Sequence, residues 1–224
     1  VKLGKTVKEL SSFHGYMAGD PRVRAEDVNQ MFADPEVDGI ICARGGYGSS
    51  QVMEYLDLDM IRQHPKLFLG YSDITNFHSV FSRYCGFVTF HGPMLISNMI
   101  KNFDDYSKDS LKRALAMEDR YVFRNPEGDP MHILTAGRAT GVVTGGNISL
   151  IAHSIGKAQI RRKNIKFSAL LASHNRKIPD AFVSIIRPEH RISLIYGLPV
   201  KPVFAQSKVN LLAVRRCLFP EMYK

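Results

Sequence analysis

FLGYSDITNFH, residues 68–78, is the stretch on which the fold turns. An apolar run over residues 66–69 stops at Gly70. A serine and an acid follow at 72 and 73, and a helix-like run begins at Ile74. A strand turning sharply into a helix is the basic joint of an α/β protein. A serine at that joint is also how several hydrolases present a nucleophile. The same serine suits an ordinary helix cap, so the local residues leave both readings open.

The pattern repeats on either side. Upstream, residues 37–43, VDGIICA, are apolar and β-branched and predict a buried strand; the loop RGGYGSS follows. Asp20-Pro21 predicts a helix start before Val23, Val28, Met31 and Phe32, and Asp34-Pro35 predicts its end. Helices are expected over 49–56, 58–64, 72–83 and 105–117, and a third strand over 87–93, FVTFHGP. Strands alternating with helices predict an α/β fold, a Rossmann-like parallel sheet covered on both faces. This domain is placed at residues 1–117. Polar, turn-rich residues 118–140 form a linker, and 141–224 form a smaller C-terminal domain. There, 139–156 predict a short strand, a Gly-Gly-Asn turn and an apolar helix, and 192–200 a late strand.

Composition narrows the function classes. The 224 residues are 45% hydrophobic and 23% charged, as expected of a globular chain. No apolar run reaches the roughly 20 residues of a membrane helix, and the opening VKLGKTVKEL has no signal-peptide core. Three cysteines, Cys42, Cys85 and Cys217, fit neither a disulfide framework nor a metal site. A cytoplasmic protein without metal or cofactor is expected. The net charge of +9 suggests nucleic acid, but it is local. Residues 157–224 carry 14 Lys and Arg against 3 Asp and Glu, whereas 1–156 carry 16 against 18. The basic third lacks interleaved aromatics or an RNA-binding signature, so neither nucleic acid nor membrane is expected as a partner.

Two loops carry the candidate chemistry. Arg44-Gly45-Gly46-Tyr47-Gly48 follows one predicted strand, and Gly70-Tyr71-Ser72-Asp73 follows the next. In a parallel sheet both lie at carboxyl ends of strands, where open α/β sheets bind ligands. Glycines let backbone N–H groups approach an anion closely. RGGYG lacks the ending of a phosphate loop and the spacing of a dinucleotide fingerprint. Ser72 meets the G-x-S-x-G pattern at Gly70, but Ile74 stands where the second glycine belongs. A nucleophilic serine needs a base. The eight histidines, at 14, 64, 78, 91, 132, 153, 174 and 190, are not paired with it by spacing. His78 is expected to be buried on the helix, and His91 sits at a strand end that could share the cleft.

Taken together, ICARGGYGSSQVMEYLDLDMIRQHPKLFLGYSDITNFHSVF, VTFHGPM and GVVTGGNISLIAHSIG, in this order and spacing, resemble the serine LD-carboxypeptidases. The resemblance covers about residues 1–156. It implies an α/β N-terminal domain, a smaller β-rich C-terminal domain and a homodimer. It also implies a metal-free Ser–His–Glu triad that removes the terminal D-alanine from murein tetrapeptides in cell-wall recycling. Ser72 takes the nucleophile position. The backbone amides of Asp73 and of Gly45-Gly46 would form the oxyanion hole, with Gly46 the principal donor of the pair. Arg44 and Tyr47 would shape the substrate pocket. The family also includes the microcin C self-immunity proteins, which act on an acyl nucleotide, and RGGYG favours the murein branch.

Two departures stand against the family pattern. VKLGKTV resembles the family's second strand, so the first is missing. After Gly156 the glutamate motif is replaced by IKFSALLASHNRK, and Lys201-Pro202 follows GLPV where a Gly-His pair is expected. No residue matches the triad Glu or His. His174, Glu189 and His190 are of the right types but outside the motif. Residues 157–224 are either partly out of frame or diverged, which leaves a non-catalytic peptide-binding remnant as the alternative.

Overall fold

The computed structural model describes residues 1–8, 14–15, 17–116, 121–122, 127–128, 145–154, 170–172, 184–186, 192–194 and 199–200. They fall into two compact units, one within Val1–Phe103 and the other within Asp104–Val203.

The first unit opens with a short helix, α1 (Lys5–Lys8), where the sequence predicts a strand. The reason is Asp27, whose carboxylate accepts the Lys5 N–H at 2.7 Å, the Thr6 N–H at 2.8 Å and the Thr6 hydroxyl at 2.5 Å. A carboxylate that satisfies the free N–H groups of a first turn favours helix there. Helix α2 (Pro21–Ala33) begins as predicted, the Asp20 carboxylate accepting the Arg22 N–H at 2.8 Å. Strand β1 (Gly39–Ile41) leads into the glycine loop and α3 (Ser49–Val52). A 3₁₀ turn and α4 (Leu58–Gln63) return the chain to β2 (Leu67–Gly70). Beyond it come a 3₁₀ turn (Ser72–Ile74), α5 (Thr75–Val80), a wider turn over Phe81–Cys85 and β3 (Phe90–His91).

The three strands form one parallel sheet in the order β1-β2-β3, with Ile40 opposite Phe68 and Gly70 opposite His91. β2 is central and buried throughout, as its unbroken apolar run requires. Helices and sheet meet over an aromatic core. Phe81 lies edge-on to Phe68 at 5.0 Å between centroids and to Phe32 at 5.3 Å, and stacks on Phe87 at 5.4 Å. Each such side chain contributes about 1.5–3 kcal/mol by leaving water. This core fixes the sheet beneath the two loops.

In the second unit, α6 (Asp105–Ala116) buries Leu111 and Leu115. β4 (Tyr121–Val122) pairs with β9 (Pro199–Val200), β5 (Gly145–Asn147) with β6 (Leu170–Ala172), and β7 (Ser184–Ile186) with β8 (Ile192–Leu194). Gly145-Gly146-Asn147 is therefore a strand and not the predicted turn. Gly145 and Gly146 take φ values of 152° and 146°, which favour glycine, and the strand pairs in parallel with β6. Asn147 closes the strand and caps α7 (Ile148–Ser154), its side-chain oxygen accepting the Leu150 N–H at 3.2 Å. Most of the linker expected over 118–140 lies outside the described residues, as do His132, His174, Glu189, His190 and Cys217. Among the described residues, no helix is long and apolar enough to cross a membrane.

Candidate active site

The site grows from the carboxyl ends of β1 and β2. Because the strands are parallel neighbours, the loops leaving them emerge side by side. Ser72 stands two residues past β2 with a φ of 60°, in the left-handed region. A non-glycine residue there is costly, and such residues concentrate where function requires a particular side-chain direction. His14, in an exposed turn, is the other described non-glycine residue with positive φ.

The incomplete elbow pattern has a steric explanation. A Cβ added to Gly70 would lie 3.0 Å from both Cγ1 and Cγ2 of Ile74 and 3.2 Å from Cβ of Cys42. Glycine suits position 70 because Ile74 and Cys42 would have to give way to a Cβ there. The large residue at the second glycine position is thus accommodated by the small one at the first.

The two loops touch at Gly45. A Cβ there would stand 3.1 Å from Ser72 Cβ and 3.4 Å from Ser72 Oγ. Gly46, with a φ of 127°, and Gly48, with a φ of 101°, take backbone shapes that favour glycine. Gly46 is exposed. Asp73 lies in the first turn after Ser72, where backbone N–H groups have no acceptor within the helix. Gly45 is therefore brought against Ser72, with Gly46 and Asp73 each the next residue along its own loop. Arg44 and Tyr47 lie on the exposed outer side of the loop, Tyr47 62% accessible and the Arg44 Nε donating to the Gly45 carbonyl at 3.3 Å.

Behind the turn is a buried polar network that the sequence reading missed. The Asp73 carboxylate accepts the Ser49 N–H at 2.8 Å, and the Ser49 hydroxyl donates to the Asp73 carbonyl at 2.6 Å. The Asn76 amide donates to Ser49 Oγ at 2.8 Å. Arg24 donates to the Gly48 carbonyl at 3.2 Å; burial pulls its pKa down, and the Asp73 charge opposes that shift. The available signal was Gly48-Ser49, a helix start whose free N–H groups need an acceptor that its own sequence does not supply.

His78 is buried and committed. Its Nε2 lies 2.8 Å from the Gly70 carbonyl and its Nδ1 2.8 Å from the Thr89 hydroxyl. A carbonyl only accepts, so Nε2 carries the proton and Nδ1 accepts from Thr89. Burial pushes the imidazole down to about 4, the Gly70 bond opposes this, and neighbouring His91 adds to it. Both nitrogens are occupied, and the ring holds the end of β2 in place. His91 packs against Tyr71 and His78 at 6.1 and 5.8 Å between centroids, with its Nδ1 buried and unbonded; burial lowers its pKa too. Burial raises the thiols of Cys42 to about 12 and Cys85 to about 11, so both are protonated at neutral pH.

Comparison with known proteins places this geometry. Residues 1–92 match the LD-carboxypeptidase N-terminal domain. The chain is 40% identical over 157 residues to the probable murein peptide carboxypeptidase of Bacillus subtilis, covering 70% of this chain and 48% of that protein. It thus spans about half the length of the curated relatives it matches. The structure of the microcin C7 self-immunity protein MccF in complex with glutamyl sulfamoyl guanosine superposes with a TM-score of 0.61 at 23% identity, covering 75% of this chain and 56% of that one. The muramoyltetrapeptide carboxypeptidase of Oxalobacter formigenes superposes with a TM-score of 0.56 at 22% identity, covering 69% and 50%. These two likenesses bear on the fold. The domain match and the Bacillus subtilis relative show that the chain carries the N-terminal domain of the LD-carboxypeptidase family.

Proposed function

We propose that this chain carries the nucleophile half of a serine-type LD-carboxypeptidase that releases D-alanine from murein tetrapeptides. The observation that carries the proposal is Ser72, held at positive φ at the end of the central strand with Gly45 against its side chain. Ser72 Oγ attacks the carbonyl carbon of the scissile amide. The Asp73 and Gly46 amides, helped by Gly45, stabilise the resulting oxyanion, where one such donor is worth about 10²–10³ in rate. Collapse expels D-alanine as the amine, and water then hydrolyses the acyl-enzyme. Arg44 and Tyr47, exposed at the mouth of the loop, contact the peptide. His78 is not the base, because both of its nitrogens are committed to Thr89 and the Gly70 carbonyl.

The reading extends to a cytoplasmic homodimer working in peptidoglycan recycling, with a C-terminal domain over 141–224 supplying or lacking the remaining triad groups. The murein-peptide substrate is supported by the family and by the name of the Bacillus subtilis relative. The test is D-alanine release from a murein tetrapeptide by the full chain, with Ser72→Ala as control. Release that the substitution abolishes is expected. Equal release from both proteins would remove Ser72 from the chemistry. The superposition on MccF favours one second reading, hydrolysis of an acyl-sulfamoyl nucleotide. Offering both substrates to the same preparation separates the two.

A further inference from the structure

The glycine loop has two feet, and they are held differently. The first is held by main chain: Cys42 N–H donates to the Leu69 carbonyl at 3.0 Å, and Ile96 N–H to the Ala43 carbonyl at 2.9 Å. Between the feet, Gly45 and Gly46 have no side chains with which to fix themselves. The second foot is Ser49, fully buried, joined to the 4% exposed Asp73 by two bonds, Ser49 donating and Asp73 accepting in both. One bond would leave a hinge. Two bonds, one from the backbone amide to the carboxylate and one from the hydroxyl to the carbonyl, fix both distance and rotation. Asn76 holds the Ser49 hydroxyl from the following helix. Excluded from water, such bonds are strong and poorly replaced by solvent.

We propose that Ser49 and the Asp73 carboxylate are positioning residues, a two-point fastening that sets the Gly46 amide relative to the Asp73 amide. The proposal rests on the oxyanion-hole reading above. Ser49 does not touch the substrate. It acts through the spacing of two backbone donors, and a misplacement of about 1 Å at such a site costs on the order of 100-fold in rate.

The test uses the full chain, an alkyl fluorophosphonate and amide hydrogen exchange. In Ser49→Ala, labelling of Ser72 is expected to slow by about 10- to 100-fold at saturating probe with the half-saturating concentration unchanged. Exchange is expected to rise in residues 43–48 and 72–74 together, while α2 keeps its protection. An unchanged labelling rate, or a rise spread evenly over the unit, overturns the proposal. Should the unsubstituted chain not label at all, the nucleophile reading falls and exchange alone decides the fastening: a coupled rise supports it and independent behaviour of the two segments overturns it. If Ser49→Ala does not fold, the pair Asp73→Asn and Asp73→Ala replaces it. The amide oxygen of Asn can still accept the Ser49 N–H, so Asn is expected to restore most of what Ala loses. Equal loss in both would assign the effect to charge and overturn the fastening.

Discussion

The loop after β1 and the turn after β2 start from adjacent strands of one sheet and reach the same point by opposite means. The first is glycine-rich and largely exposed; its unusual φ values cost little because Gly46 and Gly48 have no Cβ. The second places a serine at a φ of 60°, and buried groups behind it, His78 on the Gly70 carbonyl and Ser49 on Asp73, hold it there. Main-chain donors need only backbone freedom, so glycine serves. A nucleophile needs a side chain, so strain has to be offset by surrounding bonds.

Ser72→Ala gives the largest break in that comparison. It leaves both loops in place and should abolish covalent labelling by the fluorophosphonate; residual labelling at the same residue count would locate the nucleophile elsewhere. Next is Gly45→Ala. Gly45 lacks the positive φ of Gly46, so alanine fits its backbone, yet the added methyl meets Ser72 at 3.1 Å. Labelling should fall by about 100-fold through displacement of the side chain, with the melting temperature nearly unchanged. A large loss of stability instead would show that the contact is structural.

His78 supplies a pH-dependent prediction on the turn's side. Its folded value of about 4 lies below the ordinary 6.5, so the unfolded chain binds the proton more tightly. Stability is then fully present above about pH 6.5 and declines as pH falls towards 4, by up to about 1.4 kcal/mol per pH unit for this group. Urea midpoints at pH 7 and pH 5 measure it. His78→Gln should flatten the dependence, leaving the smaller part due to His91, which shifts in the same direction.

The sheet was legible because β2 is an unbroken apolar run and because Asp20, Gly70 and the glycine loop mark its joints. Local pattern failed where a partner distant in sequence decided the outcome. Asp27 turns residues 5–8 into a helix, and pairing with Leu170–Ala172 makes a strand of Gly145–Asn147. The site divides the same way. Ser72 and the glycines stand out by type and spacing. Ser49 does not, since a serine after Gly-Tyr-Gly looks like loop, and its partner is 24 residues away.

The smallest effect bears on strain alone. Ser72→Gly removes the Cβ that makes a φ of 60° unfavourable, a gain of about 1–2 kcal/mol. Glycine also gives the unfolded chain more freedom, which takes back roughly 0.5–1 kcal/mol. The net expectation is a stabilisation of about 1 kcal/mol or less, whereas Ser72→Ala keeps the Cβ and should leave stability near that of the serine protein. Both variants lack the nucleophile, so they differ only in backbone cost, and paired urea titrations read that cost directly. A glycine variant less stable than the alanine one would mean that the bonds behind the turn, and not steric strain at Ser72, set its energy. The contrast between a freely adopted glycine loop and a strained serine turn would then fail.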